Sequence, residues 1–215
     1  MCSITAILNG SANGEELRSM ALAISKRQRH RGPDWSGVYQ EENALLAHER
    51  LAIVDVTSGA QPLLDPQTGT ALAVNGEIYN HQALRKETAD FPYQTGSDCE
   101  VILSLYREHG SELAHHLEGM FAFVLYDVEK DAWLIGRDPI GIIPLYYGHT
   151  ADGALMVASE MKGIEPLCED VSEFPPGHVW SSAVSAPKRY YNEDWMDWET
   201  APKQAYKKEE LRAAL

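Results

Sequence analysis

Short apolar runs joined by hairpin-length connectors recur along the 215-residue chain, and they restrict its fold more tightly than any other feature. Met120–Tyr126 and Ala132–Gly136 are separated only by Asp127–Asp131, which reads as a β-hairpin. Leu145–Gly148 with Ala154–Ala158 suggest a second hairpin, and Val179–Ser182 with Arg189–Tyr191 a third. Further strand-like runs follow Cys2 (Ser3 to Leu8) and lie at 37–40, 44–48, 51–56 and 70–74, the last ending in Asn75-Gly76-Glu77. Parallel strands need crossovers of about a dozen residues or more, so connections this short favour antiparallel sheets. Helical periodicity is sparser. Glu15–Arg29 places Leu17, Met20, Ala21 and Ile24 on one face, between an acidic start and a basic end. A second helix begins near Asn80 and carries Leu84. A third follows Ser97-Asp98-Cys99-Glu100, which has capping-box form, and sets Val101, Ile102, Leu105 and Tyr106 on one side. The expected class is α+β, with three amphipathic helices covering one or two sheet faces.

A chain that is 44% hydrophobic can bury a sizeable core as one large domain or two small ones. Its 18 basic and 32 acidic residues give a net charge of −14, spread without a long single-sign block. That argues against a nucleic-acid binder and a polybasic membrane surface. No apolar run approaches a transmembrane length, and the N-terminal run lacks a basic flank and is broken by Asn9-Gly10-Ser11. The expectation is a cytoplasmic protein without membrane or nucleic-acid partners. Cys2, Cys99 and Cys168 are an odd number at irregular spacing, which suits neither a disulfide framework nor a zinc motif, and the scattered histidines suggest no metal site.

Cys2 is the candidate for chemistry. Initiator methionine is commonly trimmed before a small residue, which would leave a thiol and a free α-amine on one residue. With a reference pKa of about 7.7–8.0, that amine can take the thiol proton near neutrality. On position alone the residue reads more readily as an ordinary buried apolar side chain. The polar clusters at 31–34, 48–51, 75–77 and 96–98 each read, alone, as a turn, a cap or a paired arginine. Cys99 is an alternative nucleophile: a helix N-terminal position would lower its pKa, although no histidine is paired with it in sequence.

Taken in order, Met1-Cys2-Ser3-Ile4, the run from His30 to Gly37, the run from Ala47 to Asp55, Gln61-Pro62, the run from Val74 to Asn80, Gly96-Ser97-Asp98-Cys99-Glu100, Gly119-Met120-Phe121-Ala122-Phe123 and the run from Gly136 to Gly141 match one family. From Cys2 to about Tyr191 the chain resembles the glutaminase half of glutamine-dependent asparagine synthetase, a class II glutamine amidotransferase. The resemblance implies an N-terminal-nucleophile hydrolase fold, a four-layer αββα sandwich of two antiparallel sheets with the nucleophile at the start of a central strand. It implies Cys2 as nucleophile with its own amine as base, and Asn75 and Gly76 as oxyanion hole. It further implies Arg50 on the glutamine carboxylate, Asp98 and Glu77 on its ammonium, and Leu51, Ile53 and Val54 lining the pocket. Glutamine would give glutamate and ammonia through a cysteinyl thioester.

In this family the ammonia feeds ATP-dependent amidation of aspartate in a synthetase domain. Its Ser-Gly-Gly-Xaa-Asp-Ser loop does not occur in these residues, so ATP and magnesium would belong to that missing half and no cofactor is expected here. The implied partners are L-glutamine and the synthetase domain, with a homodimer left open. The implied division is a 1–191 amidotransferase domain, then 192–215 as linker and truncated start of the next. There Tyr206–Leu215 reads as a helix cut off in mid-pattern, and Trp195, Trp198 and Leu211 either mark an interface or pack as core. The alternative is a catalytically silent regulatory or binding module with the same fold.

Overall fold

A computed structural model describes residues 2–10, 14–52, 55, 57–197, 199, 201 and 207–214. Along the chain these form β1 (Ser3–Leu8), α1 (Gly14–Arg27), β2 (Trp35–Gln40), β3 (Ala44–Arg50), β4 (Leu63–Leu64), β5 (Ala71–Ile78), α2 (His81–Glu87), α3 (Val101–His109), β6 (Gly119–Asp127) and β7 (Ala132–Arg137). They continue as β8 (Tyr146–His149), β9 (Leu155–Ala158), α4 (Met161–Ile164), β10 (Asp170–Glu173), β11 (His178–Ser181), β12 (Lys188–Arg189) and α5 (Lys208–Ala214). Two six-stranded sheets result, ordered β10-β8-β9-β1-β3-β2 and β12-β11-β7-β6-β5-β4, and their pairings are antiparallel.

The layering follows from side-chain alternation. Ile4, Ala6 and Leu8 of β1 join Ala44 and Leu46 of β3 against Ala71, Ala73, Ala122, Val124 and Ile135 of the second sheet, closing a dry layer between the sheets. The opposite face of the first sheet, with Ile7, Leu45, Ala47 and Met156, takes Leu17, Ala21 and Ile24 of α1. The outer face of the second, with Leu72, Val74, Phe121, Phe123 and Leu125, takes Leu84 of α2 and Val101, Ile102 and Leu105 of α3. The four layers are therefore helix, sheet, sheet, helix, as the resemblance implies. All six residues of β1 are buried because both of its faces are covered, the polar Ser3 and Thr5 included.

Three local expectations are corrected. The run 51–56 is not a strand where it is described: β3 ends at Arg50, opposite Trp35, the first residue of β2, so the ladder has no partner beyond it. Ile53, Val54 and Val56 lie outside the described residues. The strand at 70–74 does not end at Asn75-Gly76 but carries both through to Ile78, with Asn75 opposite Ala122 and Gly76 opposite Phe121. Ser97 makes no side-chain cap, and Glu100 instead accepts the Gln94 and Thr95 N–H groups at 2.7 and 2.9 Å, fixing the preceding loop rather than a capping box. Strands β4 and β10 have no counterpart in the sequence reading. Beyond Tyr191, Trp195 and Leu211 are exposed rather than core, and Trp198, Tyr206 and Leu215 lie outside the described residues.

His48 crosses the inter-sheet layer. It stands opposite Ile4 in the first sheet and donates from Nε2 to the Val74 carbonyl of the second at 2.9 Å. A carbonyl only accepts, so the proton sits on Nε2. Burial, its largest influence, holds the imidazole down to about 4 from 6.5. The unfolded chain therefore binds the extra proton between these values, and stability falls as pH drops from about 6.5 towards 4, by about 3 kcal/mol in all. His48→Gln, which keeps a donor without the titration, should flatten this part of the stability-versus-pH curve in urea unfolding; an unchanged slope would contradict the assignment.

Candidate active site

One cleft opens where the two sheets' strand ends meet, with a volume of ≈ 590 Å³ including its open mouth. Cys2, Arg50, Leu51, Asn75, Gly76, Glu77 and Asp98 all line it. Seven of the nine residues expected at the site are thus brought together; the other two, Ile53 and Val54, lie outside the described residues. Gly59, Gln61, Ser97, Cys99, Met120 and Ile143 complete the wall. Of these, Gln61, Ser97, Cys99 and Met120 stood in motifs of the resemblance; only Cys99 carried a role in the sequence reading, as an alternative nucleophile.

Cys2 is the residue before β1, so the central strand fixes its position. The Arg31 Nε donates to its carbonyl at 3.0 Å, and the Leu51 N–H donates to its Sγ at 3.3 Å. Burial pushes the Cys2 thiol up from its ordinary value, against the pull of the Leu51 N–H and of the Arg50 and Arg31 charges. A thiol held in this state needs a base to become a nucleophile.

Asn75 and Gly76 line the same cleft from β5. The Asn75 Nδ2 is buried and has no hydrogen-bond partner. Such a donor costs about 1–3 kcal/mol when left unmade, which marks it as aimed at something that binds. Val74 and Gly76, two residues apart, direct their N–H groups to the same edge of the sheet. The Val74 N–H is taken by Gln61 Oε1 at 2.7 Å, and β4 pairs with β5 only at Ala71 and Leu72. Gly76 has φ +145°, and a Cβ there would stand 2.0 Å from the Met120 carbonyl. Only glycine fits that approach.

The charged walls are also built from neighbouring elements. Asp98 Oδ2 accepts the Ile78 N–H at 2.7 Å, which locks the 97–98 turn to the end of β5. Arg50 projects from the last residue of β3 and donates to the Asp55 carbonyl. At the far wall, buried Asp138 accepts the Ile142 and Ile143 N–H groups at 2.9 and 3.0 Å and so fixes the loop that presents Ile143. Cys99 does not behave as a helix N-terminal thiol: burial, and then the adjacent Asp98 carboxylate, push it well above its ordinary value. Its Sγ leans on the Gly76 carbonyl and Asp98 Oδ2 at 3.7 and 3.6 Å, so it acts as wall. Among the described residues no group of three or more His, Cys, Asp or Glu side chains is placed to hold a metal ion.

Over 216 residues the chain is 56% identical to asparagine synthetase B (glutamine-hydrolyzing) of Escherichia coli K12, a match covering 100% of this chain and 39% of that protein. It is 50% identical over 206 residues to asparagine synthetase (glutamine-hydrolyzing) 3 of Arabidopsis thaliana, covering 96% of this chain and 36% of that protein. The chain thus spans less than two fifths of the length of these relatives. In three dimensions it superposes on the glutamine phosphoribosylpyrophosphate amidotransferase of B. subtilis with a TM-score of 0.73 at 21% identity, covering 89% of this chain and 50% of that one. It therefore shares that enzyme's fold. A family model described as a glutamine amidotransferase domain matches residues 1–175, and the chain belongs to that family.

Proposed function

We propose that this chain hydrolyses glutamine to glutamate and ammonia, with Cys2 as nucleophile. The observation that carries the reading is the buried, unpartnered Asn75 Nδ2 lining the same cleft as the Cys2 thiol. An oxyanion that develops when sulfur attacks a carboxamide would supply the missing acceptor.

After removal of Met1, the Cys2 α-amine takes the thiol proton and the sulfur attacks the carboxamide carbon. The tetrahedral oxyanion is held by Asn75 Nδ2 and the Gly76 N–H, preorganised donors worth about 2.7–4 kcal/mol each. The amine returns its proton to the departing nitrogen, which leaves as ammonia. Water, deprotonated by the same amine, then cleaves the thioester to glutamate and regenerates the thiol. The substrate's α-carboxylate meets Arg50, whose planar fork suits two oxygens, and its α-ammonium meets Asp98 and Glu77. Leu51 lines the wall, and the resemblance implies the same of Ile53 and Val54.

The relatives' names and greater length support an acceptor reaction outside these residues. There the ammonia would amidate aspartate with ATP and magnesium, and a synthetase domain would be the partner. A cytoplasmic setting fits such a reaction.

Activity assays test the assignment of roles. Cys2→Ala, and any fraction retaining Met1 by intact mass, should release no ammonia from glutamine; persistent release would refute the nucleophile. Asn75→Ala should lower kcat by about 10²–10³ with little change in KM. Arg50→Ala should act the other way, raising KM at least tenfold with a smaller effect on kcat, because uniform binding is lost. Equal effects of the two variants on both constants would contradict the division of labour.

A further inference from the structure

Asp55 is not part of the cleft wall, and no step of the proposed reaction uses it. Its bonds nevertheless join both ends of the substrate-reading apparatus. Its carbonyl accepts from Arg50 Nη2 and from the Gly59 N–H at 3.1 Å. Its carboxylate accepts the Gly96 N–H on Oδ2 at 2.7 Å and the Ser58 N–H on Oδ1 at 3.1 Å, with the Ser58 hydroxyl also on Oδ2. Gly96 begins the turn that delivers Asp98 to the cleft. Asp55 holds this arrangement from a positive φ of 49°, uncommon for a residue with a side chain.

We infer that Asp55 is a positioning residue that sets the distance between Arg50 and Asp98, and thereby selects a substrate carrying both an α-carboxylate and an α-ammonium. This rests on the glutamine reading given above. The chemistry explains why a carboxylate stands here. Both oxygens face backbone N–H groups, and a carboxylate accepts on both. An asparagine in either flip would turn its NH₂ towards one of those N–H groups and release one side of the strap. The Ser58 hydroxyl, the strongest influence, helps to hold the Asp55 carboxyl below its ordinary value, so the strap stays ionised through the neutral range.

The test is protection of Cys2 from iodoacetamide by glutamine, followed by peptide mass mapping on the full chain and its variants. Asp55→Asn should raise the half-protecting glutamine concentration about tenfold, the loss of one charge-assisted hydrogen bond. The alkylation rate without glutamine should stay unchanged, and kcat should remain within about twofold. Glu129→Ala, an exposed side chain outside the strap and the cleft wall, should match the parent chain. An unchanged protecting concentration in Asp55→Asn overturns the inference. So does a matching change in alkylation rate without glutamine, which would indicate a general disturbance of the thiol site. If glutamine fails to protect even the parent chain, the glutamine reading itself is overturned and the inference falls with it.

Discussion

The dry layer between the two sheets is the constraint on which the site depends. Ile4, Ala6 and Leu8 are fully or almost fully buried in it, so β1 has no freedom to slide, and a one-residue slip would turn its apolar set away from the second sheet. Cys2 is the residue before this strand and inherits that fixed position. Asn75 and Gly76 belong to β5 on the other side of the same layer, with their register set by eight pairings to β6. His48 adds a hydrogen bond across the layer at Val74, one residue before Asn75. The proposed nucleophile and its proposed donors thus sit on separate rigid sheets held face to face, which suits chemistry that needs donors in place before charge develops.

The polar groups at the cleft divide into two kinds. Some are satisfied and shape the wall: Gln61 on the Val74 N–H, Asp98 on the Ile78 N–H, and Asp138 on the loop at Ile142 and Ile143. Asn75 Nδ2 is buried without a partner. In a low-dielectric cleft that asymmetry favours an anionic guest, and it distinguishes a binding donor from a structural one. Cys99 lines the same cleft, but burial beside Asp98 leaves it protonated, so two thiols in one pocket carry different chemistry.

Hydrophobic patterning made the layers legible in advance: the hairpins, the face of α1 and the helix after Ser97 all follow from period and turn residues. The site was legible through eight short motifs matching a known family rather than through any residue alone. What escaped the reading did so for physical reasons. Asn75-Gly76 has the composition of a turn, and the close approach of the Met120 carbonyl, a contact 44 positions away in the chain, is what makes it a strand. The run after Arg50 has the composition of a strand, but at its described residues, 51, 52 and 55, no strand forms. Strand β10, Asp170–Glu173, carries little apolar signal because it is an edge held by its backbone to β8. Local helix-dipole logic for Cys99 was outweighed by burial, which depends on the whole fold. The strap at Asp55 joins segments 41 positions apart through backbone N–H groups, which leave no mark in composition.

The most direct test of the central claim is covalent trapping with a glutamine-like electrophile, followed by peptide mapping of the labelled chain. The account requires a single adduct on the sulfur of Cys2, in molecules that begin at that residue, with glutamine slowing its formation. An adduct on Cys99 or Cys168, or labelling that ignores glutamine, would contradict it.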